Sequence, residues 1–165
     1  MALINISKHG NITPTTLFDV CELDKLARDE DRREVEDISH KPLITNLLFA
    51  LEHAKPCLTA RTHFGELYGI FGVLPSFHHW GAIAFIGTKA IEQNTISFLR
   101  GSKDVLNYVQ QHYDMLCNIV DARNEVHVRW LKWLGFSMIR RLDNFGAKQI
   151  QVLEFAKASN DAKAE

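Results

Sequence analysis

Residues 116–136, LCNIVDARNEVHVRWLKWLGF, constrain the fold more than any other stretch, because a short apolar run passes directly into a helix bounded at both ends. The run up to Asp121 has the length of a strand and closes on the polar cluster Asp121, Arg123 and Asn124, the pattern of a strand covered on both faces. Asn124 makes a good N-cap: its side-chain oxygen can accept from an amide one turn on, and Glu125 complements the positive helix end. As a plain cap it would be replaceable by aspartate. Val126, Trp130, Trp133 and Leu134 recur at i, i+4, i+7 and i+8 and predict one apolar stripe, so both tryptophans read as core. Lys132 stands in the last turn, Gly135 supplies a left-handed C-terminal residue, and Phe136 opens another strand.

The rest of the chain predicts one α+β domain over residues 1–156 with a largely antiparallel central sheet, followed by a polar tail over residues 157–165. An edge strand is expected at residues 2–6 and a turn around Pro14. Helical spacing of Leu17, Val20, Leu23, Leu26 and Ala27 begins a helical stretch over 15–38, whose RDEDRREVED run reads as a solvated face or loop. Pro42 starts a second amphipathic helix carrying Leu43, Leu47, Ala50, Leu51 and Ala54. Strands are expected at 57–63, 66–73 and 80–87. A further helix, capped at Asn94 or Thr95, carries Leu99, Leu106, Val109 and Tyr113, with Gly101 a costly interior residue at about 1 kcal/mol relative to alanine. Strands at 137–143 and 148–155, joined through Asn144 and Gly146, complete the sheet.

Composition narrows the function classes. The net charge of -1 gives no global electrostatic case for nucleic acid; only Arg123, Arg129, Lys132, Arg140 and Arg141 begin a basic face. Cys21, Cys57 and Cys117 have neither C-x-x-C spacing nor an even count, which argues against a zinc site and a disulfide framework, and Cys117 reads as a small core residue. His63, His78 and His79 have no accompanying ligand spacing, so no metal is expected. No window approaches the roughly 18 apolar residues of a membrane span. Trp80, in a loop with His78 and His79 after Pro75, is a candidate exposed anchor.

The 116–136 unit, with Asn124 at the helix start and Gly135–Phe136 at its end, resembles the second half of the GCN5-related N-acetyltransferase fold. That resemblance implies an acyl-CoA N-acyltransferase-like architecture, a mixed, mostly antiparallel sheet flanked by helices, with acetyl-CoA as cofactor. It places the pyrophosphate between Gly87 and Lys103, where Gly87, Thr88, Asn94, Thr95, Arg100 and Ser102, with Asn124, would be the cofactor-binding residues. Two family features differ: Leu131 stands where a thiolate-protonating tyrosine is common, and the Q/R-x-x-G-x-G/A phosphate loop is absent.

A second resemblance spans roughly residues 28–140. The segments DRREVEDIS, FGVLPS, GTKAIEQN, FLRGSKDVL and VDARNEVHVRWLKWLGF are similar to small tailed-phage proteins related to podophage internal virion protein A. It implies a role in virion morphogenesis as an internal or assembly protein, with phage virion or assembly proteins as partners. The host cytoplasm during infection, and the virion, are the implied locations. The alternative is an active N-acetyltransferase modifying an amine on a protein, nucleobase or small molecule, for which Asp121 or His127 would be the catalytic base.

Overall fold

The computed structural model describes residues 6–160. In chain order the elements are β1 (Asn11–Pro14), α1 (Leu17–Leu26), α2 (Asp29–Ser39), α3 (Leu43–His53), β2 (Cys57–Arg61), β3 (Leu67–Pro75) and β4 (Trp80–Gly87). They continue with α4 (Ala90–Gln93), α5 (Thr95–Gln110), β5 (Met115–Asp121), α6 (Glu125–Trp133), β6 (Ser137–Phe145) and β7 (Ile150–Ala158). One sheet takes all the strands in the order β1-β2-β3-β4-β5-β7-β6, and every neighbouring pair is antiparallel except β4 and β5. The expected α+β class with a mostly antiparallel sheet is the one observed.

Alternation along the strands divides the core in two, since successive side chains leave opposite faces. Ile70 and Ile86 face α1 and α3, where Val20, Leu23, Leu43 and Leu47 close one apolar cluster. Their neighbours Phe71 and Phe85 face the other way, packing with Val105, Leu106 and Val109 of α5 and Trp130, Leu131 and Leu134 of α6. Helix α1 is anchored by a capping box in which the Thr16 hydroxyl accepts from the Asp19 amide while the Asp19 carboxylate accepts from the Thr16 amide. That carboxylate also accepts from Arg61 of β2.

The parallel junction is short. Only Trp80, Gly81 and Ala82 pair with Met115, Leu116 and Cys117, and beyond them β4 and β5 part, leaving Gly87 and Asp121 on opposite sides of a wedge.

Several boundaries differ from expectation. The edge strand is Asn11–Pro14, where proline is tolerated; of the predicted strand at 2–6, residues 2–5 lie outside the described residues. The stretch 15–38 is two helices because Ala27 is extended and bridges to Thr88. Pro42 caps α3 from outside rather than occupying its first turn. Gly101 does not interrupt α5. Strand β7 continues to Ala158, and Ser159 donates its amide to the Asp114 carbonyl at 2.9 Å, so ordered backbone runs past Ala156. Residues 161–165 of the predicted tail lie outside the described residues.

Candidate functional site

Diverging strands expose backbone groups that a sheet would otherwise satisfy, and buried amides need acceptors where water is excluded. Helix α2 supplies them. Asp31 and Glu34 stand three apart, on one helix face, and are buried, as is Arg28 just before the helix. The Asp31 carboxylate accepts from the Gly87 amide at 2.9 Å, while the Arg28 amide donates to the Gly87 carbonyl at 2.9 Å. Glu34 accepts from the Asp121 amide at 3.1 Å. One carboxylate of α2 therefore closes the open edge of β4 and the next closes that of β5. The expectation of a wholly solvated acidic run is corrected: Asp29, Glu30 and Arg33 are exposed, but the Arg28–Asp31–Glu34 face is interior.

Helix α6 completes the network. Asn124 caps it as predicted, its side-chain oxygen accepting from the His127 amide at 3.4 Å, and its Nδ2 donates to Asp31 at 3.0 Å and to Glu34 at 3.2 Å. The His127 ring meets Glu34 through Nδ1 at 3.0 Å, and the Asn118 amide lies 3.2 Å from Nε2, able to present an N–H or an oxygen to either protonation state. His127, not part of the predicted apolar stripe, is buried, 5.6 Å from the Trp130 ring centroid. The buried face of α6 is His127, Trp130, Leu131 and Leu134, whereas Val126 and Trp133 are 36% and 41% exposed. The polar wedge rotates the helix relative to its apolar stripe because the ring finds two partners there. Leu131, fully enclosed in the core, leaves no polar group at the position of the family tyrosine.

The charges are set by this packing. Burial pulls His127 toward its neutral form, but the negative Glu34 and Asp31 beside it outweigh that and raise its pKa overall. Burial raises Asp31 despite the opposing charges of Arg28 and His127. Asp121 behaves oppositely: burial pushes it up, yet the Arg123 guanidinium, at 2.6–3.1 Å, holds it below the usual carboxylate range. Arg123 also reaches Asp37 at 2.9 Å.

The predicted cofactor residues do not converge. Gly87 and Thr88 are buried at the end of β4, and a Cβ on Gly87 would lie 2.8 Å from the Phe85 ring, so this glycine accommodates packing rather than an approaching ligand. The Thr88 amide donates to the Tyr68 carbonyl, and those of Ala90, Ile91 and Glu92 to Thr88 and Lys89. Asn94 donates its side chain to the Ala90 carbonyl instead of capping α5, and Thr95 donates to Ile91 and Glu92. Ser102 accepts from Trp130 Nε1 and donates to the Phe98 carbonyl, while Arg100 is exposed. Cys117, half-buried, donates to the Gly81 carbonyl, and burial raises its pKa.

The end of β4 offers coenzyme A no free backbone group at Gly87. A pantetheine arm needs the open edge of β4 and a slot beside it, but both Gly87 backbone groups are taken. The cavity beside Phe85, His127 and Trp130 is about 20 Å³, enough for roughly one water. A pyrophosphate at the following turn would meet amides already used and the carboxylates of Asp31 and Glu92.

Arg28, Asp31 and Glu34 were not singled out from the sequence. Their i, i+3, i+6 spacing was visible, but several acidic pairs in the same run share such spacing. Elsewhere, Trp80 is 49% exposed, as a candidate anchor would be, but it opens β4 and pairs with Met115 rather than lying in the preceding turn, where His78 and His79 both have positive φ. Among the described residues no three His, Cys, Asp or Glu side chains form a metal-binding group, and no helix is long and apolar enough to cross a membrane.

This architecture, a seven-stranded mixed sheet that parts between its two parallel central strands, is the GCN5-related acetyltransferase fold. Solved structures sharing it include RimL, a ribosomal L7/L12 α-N-protein acetyltransferase in complex with coenzyme A, with a TM-score of 0.75 at 9% identity over 98% of this chain and 99% of that one. An acetyltransferase of the GNAT family from Bacillus anthracis matches with a TM-score of 0.73 at 11% identity, covering 96% and 99%. Ribosomal-protein-alanine N-acetyltransferase from Brucella melitensis matches with 0.68 at 17%, covering 89% and 98%. No protein-family model matches the chain, and no curated protein matches it.

Proposed function

We propose that this chain is an acetyltransferase-fold protein that works by binding other proteins and does not transfer acyl groups. Its setting is the one implied by the sequence resemblance over residues 28–140: phage virion morphogenesis, as an internal or assembly protein, in the infected host's cytoplasm and in the particle. The observation supporting the non-catalytic reading is the wedge between β4 and β5, which Asp31 and Glu34 of α2 fill at the strand edges themselves. Neither candidate base is suited to acyl transfer. Asp121 is held ionised by Arg123, and His127 is enclosed between Glu34, Asn118 and Trp130. Leu131 cannot donate a proton to a leaving thiolate, so general-acid help of about 10²–10⁴-fold is not available from that position.

Calorimetry of the purified protein with acetyl-CoA tests this reading. No heat of binding is expected, together with no thiol release above background against polyamine, peptide and nucleoside acceptors.

The second reading, an acyl-CoA-dependent N-acyltransferase acting on an amine, is favoured by the fold shared with a coenzyme A complex. Stoichiometric binding with enzyme-dependent thiol release, abolished by His127→Gln or Asp121→Asn, would establish it and overturn the first.

A further inference from the structure

Helices α5 and α6 leave between them a groove of about 460 Å³ whose floor and walls include Leu99, Phe98, Val126, Trp130 and Trp133. Two of the exposed large apolar side chains of the protein line it: Trp133 at 41% and Val126 at 36%. Exposed apolar surface concentrated in one concavity marks a binding surface more often than scattered single residues do.

The charges at its rim are unspent. Arg28, Arg32, Arg61, Arg123, Arg140 and Arg141 each meet a carboxylate. Among the described residues no ion pair is made by Arg129, which lines the groove, by Arg100, one position after Leu99, or by Lys103, whose Nζ lies 4.2 Å from the centroid of the Trp133 ring. The carboxylate lining the groove, Glu92, is turned toward Arg28 at 3.5 Å. An apolar trough carrying a tryptophan and bordered by unpaired cations is complementary to a segment that presents bulky apolar side chains along one face and carboxylates beside them.

We propose that the α5–α6 groove docks an acidic amphipathic helical segment of a partner protein, its apolar face against Trp133 and Val126 and its carboxylates on Arg129 and Lys103. This rests on the protein-binding reading above and names the surface that serves it. Helix-in-groove recognition of this kind places anchors at i, i+3 or i+4 and i+7 on the incoming segment.

Selection of the whole protein against a random 16-residue peptide display library tests the surface independently of acetyl-CoA. Enriched peptides are expected to combine acidic residues with Leu, Phe or Trp at helical spacing. Arg129→Glu and Trp133→Ala should each weaken a selected peptide by about tenfold or more without changing the denaturant midpoint. A peptide with lysine in place of its carboxylates should recover binding to the Arg129→Glu protein. Enrichment of basic peptides, no enrichment, affinity unaffected by both variants, or displacement of the peptide by coenzyme A would each overturn the proposal, the last by making the groove a nucleotide site. Failure here with no acetyl-CoA binding in calorimetry would remove this surface and leave the non-catalytic reading standing.

Discussion

Glu34 of α2 and His127 of α6 stand 93 positions apart in the chain and meet at 3.0 Å in the interior, where β4 and β5 separate. Each is buried, and each would be costly there alone, because an isolated buried charge loses its hydration without replacement. Together with Asp31, Asn124 and the amides of Gly87 and Asp121 they form a closed network, and its properties can be measured.

Stability should fall on the alkaline side. The folded His127 ring keeps its proton to higher pH than the unfolded ring, whose pKa is about 6.5. Its contribution is therefore complete below about 6.5 and is lost as the pH rises through the folded value. Asp31, also raised, acts in the same sense from 3.8 upward, whereas Asp19 and Asp121, both lowered, contribute above 3.8 and lose that contribution as pH falls. Urea midpoints across roughly pH 4–9 should decline above about 6.5. His127→Gln should flatten that decline while leaving the acid limb intact. A wild-type midpoint that rises across neutrality would show that the ring is held neutral.

Glu34→Ala should destabilise by about 3–5 kcal/mol, the usual effect of breaking a buried pair. It also removes the acceptor of the Asp121 amide. Hydrogen exchange at that amide should accelerate beyond the change in global stability, while the Gly87 amide, held by Asp31, stays comparatively protected. Equal acceleration at both amides would mean that the wedge opens as one unit.

Asn124 is more than a cap. Asn124→Ala removes the acceptor for the His127 amide, worth about 0.5–2 kcal/mol. It also removes the donors to Asp31 and Glu34, and each buried group left unsatisfied adds about 1–3 kcal/mol. Asn124→Asp, harmless for a plain cap, places a third carboxylate against two others and should destabilise at least as much as alanine at pH 7. A denaturant midpoint for the aspartate variant equal to wild type would refute this.

The two tryptophans of α6 should separate. Trp130 packs with Phe85 and Phe98 and donates to Ser102, so Trp130→Ala should cost about 3–5 kcal/mol. Trp133, 41% exposed, should change stability by no more than about 0.5 kcal/mol when replaced by alanine. Thermal or denaturant unfolding of the two variants side by side decides this, and equal losses would put Trp133 in the core.

Local signals in the chain were enough for the strand–helix–strand unit from β5 to β6, because apolar run length, an Asn cap and a C-terminal glycine act between residues that are near neighbours. Asn124 as the cap and Gly135 with φ +92° are both observed. The strand at 80–87 was also legible, its apolar run being a property of the segment itself. Which face of α6 is buried was not, since His127 becomes an interior residue only through Glu34 and Asn118. Nor could the DEDRREVEDIS run declare that two of its carboxylates replace strand partners. A charged residue is stable inside a protein only when a complementary group arrives from elsewhere in the chain, and here those groups are the unpaired amides of Gly87 and Asp121, exposed by the parting of two strands. Local propensity and hydrophobic spacing determined the elements; long-range satisfaction of buried polar groups determined what occupies the wedge between them, and with it what the fold can do.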